Sequence, residues 1–296
     1  MEIGEKIKRL RSAKLMTQAE LAGGEITRNM LSRIENGAAM PSLGTVMHIA
    51  AKLNVSPGFL LANEEDELLY FKSREIDGIK KAYANKNYEL CREMCKNSEW
   101  SDDELMLISA ECSMRVGIER FKAGELRGAS ECFEESAEYC GRTLYGTAAI
   151  IAEIEAYFEY MELISPTLSA YVAEDEDNVR MFPIGDGFCM YSSICAEANG
   201  EGLSQLPYLE HRLELIPEGS AYRLHLEARL LMERGEYKEA HGILHRLLFD
   251  DSCELPEPVM YFVFCDLELC CKELDDFKGA YEYSGSKIAL LQKLLS

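Results

Sequence analysis

The chain has 296 residues, 47% of them hydrophobic, with 31 Lys/Arg against 52 Asp/Glu and a formal net charge of −21. That length leaves room for two domains and a large core, and so large an acid excess excludes a surface that holds nucleic acid all over. No run of 18 or more apolar residues occurs, so no membrane contact is expected.

The charge is unevenly spread. Residues 1–62 carry eight Lys/Arg and five Asp/Glu, a net of +3, which leaves −24 on the remainder. Screening over about 8 Å at physiological salt lets the two regions act separately, so DNA would approach one end only. The start, Met1-Glu-Ile-Gly-Glu-Lys6, lacks the basic-then-apolar order of a secretion signal, and a cytoplasmic protein is expected.

Residues 17–37 read as two short helices at a tight turn. Thr17 with Glu20 three residues later is a capping box, and Gly23-Gly24 stops the helix that it opens. Thr27 caps the next helix. Met30, Leu31 and Ile34 recur there at helical spacing and face inward, which leaves Arg28, Asn29, Ser32 and Arg33 outside. Asn36-Gly37 ends that helix. Arg, Asn and Ser presented from the first turns of a helix are suited to reading base edges.

These residues resemble a Cro/repressor-type helix-turn-helix domain of the xenobiotic-response-element family over residues 3–60. The matching pieces are Ile7-x-x-Leu-Arg11, Thr17-Gln18-x-x-Leu21-Ala22, Ser32-Arg-Ile-Glu-Asn-Gly37, Pro41-Ser42-Leu43 and Ile49-Ala50-x-x-Leu53. The resemblance implies that Gln18 and Asn36 touch phosphates, that Arg28, Asn29 and Ser32 face bases, and that Arg11 pairs with Glu35. Thr27 and Arg33 complete the candidate DNA-facing set. The chain departs from the family in a turn one residue shorter than usual. It also carries Ala38-Ala39-Met40 where basic residues are common, so non-specific affinity is expected to be modest.

The acidic run Asn63–Glu67 marks a junction, which gives a helix-turn-helix domain at 1–62 and a second domain at 63–296. The rest reads as helical and repetitive. Asn85–Cys91, Ala123–Ala129, Arg234–Ala240 and Leu274–Ala280 each place a polar turn before an apolar anchor (Tyr88, Leu126, Tyr237, Phe277), with a small residue three positions on. The anchors are 38, 111 and 40 residues apart, a period that signals stacked helix pairs.

These segments resemble tetratricopeptide repeats. The best match, residues 221–252, has Leu224, Ala228, Leu231, Gly235, Tyr237, Ala240 and Leu244 at packing positions; residues 110–140 also fit, through Gly117, Gly124, Ala129 and Phe133. Spacing alone assigns two further pairs to residues 141–219, about six in all, with Asp175–Pro183 as a loop between them. The predicted fold is therefore all-α: a five-helix helix-turn-helix domain followed by an α-solenoid of tetratricopeptide-like helix pairs.

That combination is similar to the Rgg- and PlcR-type peptide-sensing transcription regulators of Gram-positive bacteria. The resemblance implies a right-handed superhelix whose concave surface binds a short imported quorum-sensing peptide. It also implies repeat bodies that dimerise and a peptide that alters how two heads are presented. Independently, one recognition helix reads only a few base pairs, so a homodimer on two half-sites of double-stranded DNA is expected. Val259–Phe264 and Ile288–Leu295 are candidate contact segments. In the clearest repeat Tyr222, His225 and Arg229 would face the groove, with Tyr157, Tyr160 and Asn199 as weaker candidates from the middle repeats; such groups can stack on a peptide and grip its backbone or carboxylate. The alternative is a DNA-anchored scaffold whose repeats bind a protein partner, with no small effector.

Eleven cysteines are many, but their spacing is neither a secreted framework nor a zinc site, and they read as small apolar residues. His241 and His245 lie at i, i+4 with no obvious carboxylate partner. No phosphate-cradling loop, nucleophile elbow or zinc-protease motif occurs, so no enzyme, cofactor or metal is expected.

Overall fold

The computed structural model describes residues 2–62, 64–99, 101–168, 187–199, 202–250 and 255–296. Asn63 and the expected loop Asp175–Pro183 lie outside them. Every regular element among the described residues is helical. The chain divides into two compact units, Met1–Lys81 and Ala82–Ser296.

The first unit holds α1 (Ile3–Ala13), α2 (Gln18–Ala22), α3 (Arg28–Glu35), α4 (Leu43–Leu53) and α5 (Pro57–Leu61). Each start after α1 is encoded locally. Thr17, Thr27, Ser42 and Ser56 accept the amide of the third residue on, and Thr17 with Glu20 forms the complete capping box. Gly23 and Gly24 both take positive φ and end α2. Ile7, Leu21, Leu31, Ile34, Ile49 and Leu53 meet in the core. Lys6 is also buried there, its ammonium donating to the carbonyls of Phe59 at 3.2 Å and Ala62 at 2.6 Å, so it satisfies the end of α5. The helix α6 spans Glu64–Ala84.

The second unit contains α7 (Tyr88–Lys96), α8 (Asp103–Lys122), α9 (Leu126–Cys140), α10 (Ala148–Ile164), α11 (Phe188–Glu197), α12 (Leu209–Glu214), α13 (Ala221–Glu233), α14 (Tyr237–Phe249), α15 (Glu257–Glu273) and α16 (Phe277–Leu294). The four predicted turns share one backbone conformation. Lys86, Gly124, Gly235 and Asp275 each have φ between 58° and 80° and stand two residues before an anchor that begins a helix. In each turn the next amide reaches back five residues, as in Asn87 N–H to the Ala82 carbonyl and Glu236 N–H to the Leu231 carbonyl, which closes the preceding helix. The small residues Cys91, Ala129, Ala240 and Ala280 are buried.

Close approach explains the small residues. A Cβ on Gly117 would stand 2.6 Å from the Phe133 ring, so glycine on α8 makes the seat for that side chain on α9. Leu126 is buried, whereas Phe277, the anchor of the last pair, is 69% exposed. Of residues 141–219, the described ones supply α10, α11 and the six-residue α12. Pro207, Pro217 and Gly219 interrupt this stretch and prevent longer helices.

Candidate functional site

The outer face of α3 is held by one buried carboxylate. Glu35 accepts from Arg11 Nε at 2.6 Å, from Arg11 Nη2 at 3.0 Å and from Gln18 Nε2 at 2.8 Å. Arg11 also donates to the Met16 carbonyl at 2.8 Å, so α1, α2 and α3 are tied at one point. Burial would raise the Glu35 carboxyl, but the bonds from Arg11 and Gln18 outweigh it and hold the group below the usual carboxylate range. With the helix so fixed, Thr27, Arg28, Asn29, Arg33 and Asn36 are exposed and Ser32 is half-buried. The Thr27 hydroxyl accepts from the Met30 amide, and Arg33 reaches the Ala38 carbonyl at 3.4 Å. Gln18 is half-buried, its amide nitrogen turned to Glu35.

In the second unit an aromatic ladder crosses the core. Tyr157 stacks on Phe188 at 4.4 Å and on Phe133 at 5.2 Å, and Tyr191 lies 5.1 Å from Tyr222. Beside it, α10, α11, α13 and α15 line a small pocket of about 70 Å³ that opens to solvent. Tyr160, Asn199, His225 and Arg229 line that pocket together; Tyr157 and Tyr222 lie in the ladder outside it. Phe262 and Leu163 supply an apolar wall.

The polar floor is a continuous hydrogen-bond chain. The Tyr160 and Tyr191 hydroxyls are 3.1 Å apart, the Tyr191 hydroxyl is 2.7 Å from His225 Nδ1, and His225 Nε2 is 2.9 Å from Asp266 Oδ2. Arg229 completes the set, its Nε 3.8 Å from the same Asp266 oxygen and its Nη1 3.9 Å from Cys195 Sγ. Sequence reasoning missed Tyr191, Cys195 and Asp266, which lie on helices other than that of His225. It also missed Lys6, whose burial has no local signal.

The described residues 7–60 match the helix-turn-helix family model. They form a helix-turn-helix domain. In it α2 and α3 are the paired helices, and the residues exposed on α3 lie on the side away from the core. No curated protein sequence matches the chain. Among solved structures, PlcR of Bacillus thuringiensis in complex with the peptide PapR7 and DNA is similar at 15% identity and a TM-score of 0.24, over 99% of this chain and 96% of that one. The PrgX/iCF10 complex is similar at 13% identity and a TM-score of 0.31, over 92% and 97%. The apo form of the competence regulator ComR from Streptococcus vestibularis is similar at 18% identity and a TM-score of 0.22, over 97% of each chain.

Outside the helix-turn-helix domain, ten cysteines are described, none in a disulfide and nine of them buried. A hydrogen bond with Cys112, reinforced by burial, pushes the Cys91 thiol up to about 12, and burial takes Cys270 to about 12. The His241 and His245 rings are 6.0 Å apart, and the His245 and Phe249 rings are 4.5 Å apart and tilted by 34°. Among the described residues no group of three or more His, Cys, Asp or Glu could hold a metal ion, and no helix is long and apolar enough to cross a membrane.

Proposed function

We propose that the protein is a non-enzymatic transcription regulator that binds double-stranded DNA through Arg28, Asn29, Ser32 and Arg33. Gln18 and Asn36 position it on phosphates, and Thr27 completes the DNA-facing set. The observation that carries this reading is a helix with exposed Arg and Asn in its first turn, braced from behind by the Arg11–Glu35–Gln18 network. Fixed donors lose little freedom on binding, which is what base reading requires.

In this reading residues 1–62 are the DNA reader and residues 63–296 the sensor and dimerisation domain, at work in the cytoplasm. A short signalling peptide binds the repeat domain at the pocket lined by Tyr160, Asn199, His225 and Arg229 and modulates DNA binding. Phe277, Tyr281 and Ile288 are exposed along one side of α16 and support dimerisation there. The other candidate segment is less suited, because Val259 and Val263 are buried.

The test is fluorescence anisotropy of labelled DNA from upstream of the protein's own gene, with full-length protein and short peptides encoded by neighbouring reading frames. A peptide-dependent change in affinity or cooperativity supports the reading. Sequence-specific binding that ignores every peptide favours a DNA-anchored scaffold, and no specific binding overturns both.

A further inference from the structure

In a stack of helix pairs each pair touches only its neighbours. The second unit departs from that rule. Although α10 to α14 intervene along the chain, α15 packs on α8, and the last turn of α16 reaches the turn between α8 and α9.

Gly124 marks the meeting point. The repeat turns carry Lys86, Gly124, Gly235 and Asp275 at one left-handed position, so the turn itself tolerates a side chain there. A Cβ on Gly235 would meet nothing within 4 Å. A Cβ on Gly124 would collide with the Glu257 carboxylate at the start of α15 and stand 3.1 Å from Leu294 Cδ2 near the end of α16. The far end of the stack, docked on Gly124, is what distinguishes these two equivalent turns.

The docked segment is held at few points. Of the 18 residues of α16, Ala280 and Leu294 are buried. Leu294 is 1% exposed and joins the core cluster that contains Phe121 and Leu126. Lys293 pairs with Glu257, and both side chains are partly exposed. Grooves of about 260 Å³ and 520 Å³ border the contact, the first lined by Arg127, Gly128, Lys293 and Leu294 and the second by Arg127, Ser130, Leu168 and Leu295. One leucine and one solvent-screened ion pair beside open space make a contact that can part while the hairpins it joins stay folded.

We propose that the last turn of α16 is a latch, which closes the second unit onto the α8–α9 turn and, when it parts, frees the C-terminal half of α16 to move. Tyr281 and Ile288, exposed on α16, lie between the anchors Ala280 and Leu294, so the latch sets where that face stands. The regulatory consequence rests on the dimerisation reading above: the closed latch presents the face on which a second copy docks, and the open latch withdraws it.

The experiment uses full-length protein with nitroxides attached through a ketone-bearing amino acid at the exposed positions Arg127 and Gln292. Double electron–electron resonance reads the distance across the latch. A second label pair at the exposed Lys238 and Lys278 monitors the starts of α14 and α16, on the Ala280 side. Leu294→Ala removes the buried anchor. Gly124→Asn drives a wedge into the contact from the opposite side with a residue that accepts the left-handed turn.

The parent protein is expected to give a short, narrow Arg127–Gln292 distance. Each variant should shift it to a longer, broader one while the Lys238–Lys278 distance holds. The ratio of open to closed molecules should rise at least about 30-fold in Leu294→Ala. Lys293→Arg keeps the ion pair and should keep the short distance. Sedimentation equilibrium of the same proteins reads the dimer, whose dissociation constant should rise at least as steeply as the closed fraction falls.

An unchanged Arg127–Gln292 distance in both variants overturns the latch. Broadening of both label pairs in both variants overturns it too, since the contact would then hold the fold rather than close it. If Leu294→Ala does not fold, Gly124→Asn decides alone. An open latch with an unaltered dimer sinks the coupling. A parent protein that is monomeric at every concentration, with a latch that still opens, sinks the dimerisation reading and its coupling and upholds the latch.

Discussion

Gly4 of α1 lies so close to α3 that a Cβ there would stand 2.0 Å from the carbonyl oxygen of Ile34. The neighbour is helix backbone and cannot turn aside. Gly4→Ala should therefore force α1 and α3 apart and cost about 1–3 kcal/mol, as overpacking does. Thermal unfolding followed by circular dichroism reads the loss. An unchanged melt of the first unit would show that the two helices separate freely.

The Arg11–Glu35 pair should make the first unit acid-sensitive. Glu35 is held below its unfolded value of about 4.3, so its contribution is fully present above that pH and is lost as the pH falls through the folded value. Glu35→Gln should flatten stability against pH in that window. Arg11→Ala leaves the buried carboxylate with Gln18 alone and should cost on the order of 3 kcal/mol near neutral pH. Denaturant melts between pH 3 and 7 compare the three proteins.

The double substitution Arg28→Ala, Asn29→Ala should abolish sequence-specific DNA binding without unfolding the first unit, since both side chains are exposed. A bidentate pairing of a side chain with a base is worth about 1–3 kcal/mol of discrimination, and the variant removes two side chains able to make one. Specific and non-specific DNA titrated at two salt concentrations separate base reading from phosphate attraction. Retained specificity would remove α3 as the reading helix.

Cys91, Cys195 and Cys270 should resist Ellman's reagent at pH 8 in the folded protein and react after denaturation. The thiolate is the nucleophile, and burial or thiol hydrogen bonding holds all three at about 11 or 12. Mass spectrometry of modified peptides identifies the sites. Rapid labelling of Cys91 in the native state would mean that its helix pair opens readily.

The helix starts and hairpin turns were legible because each is written in a few neighbouring residues. A hydroxyl three residues before an amide caps α3, and a polar turn before an apolar anchor places α7, α9, α14 and α16. The stretch 141–219 was less legible. Spacing suggested two hairpins there; among the described residues α10 packs on α11, and the short helix α12 follows between Pro207 and Pro217.

The site shows the same division at finer scale. Tyr157 and Tyr160 are three residues apart on α10 and equally plausible from the sequence. The first stacks into the aromatic ladder, and the second joins the pocket floor. Likewise Tyr222 packs against Tyr191 and Phe188, while His225, one turn on, bonds Tyr191 and Asp266.

By itself the sequence determined the all-helical class, the capped α2–α3 pair, the repeat turns and the basic end of an acidic chain. Caps, left-handed turns and charge counts act over one or two helical turns and need no distant partner. Only the tertiary structure decided that Glu35 gathers Arg11 and Gln18, that Lys6 closes α5, and that Tyr160, Tyr191, His225, Arg229 and Asp266 share one floor. Those groups are separated by up to 106 positions along the chain. Their meeting depends on how four helices pack, because a buried charge persists only where packing brings its partner within reach.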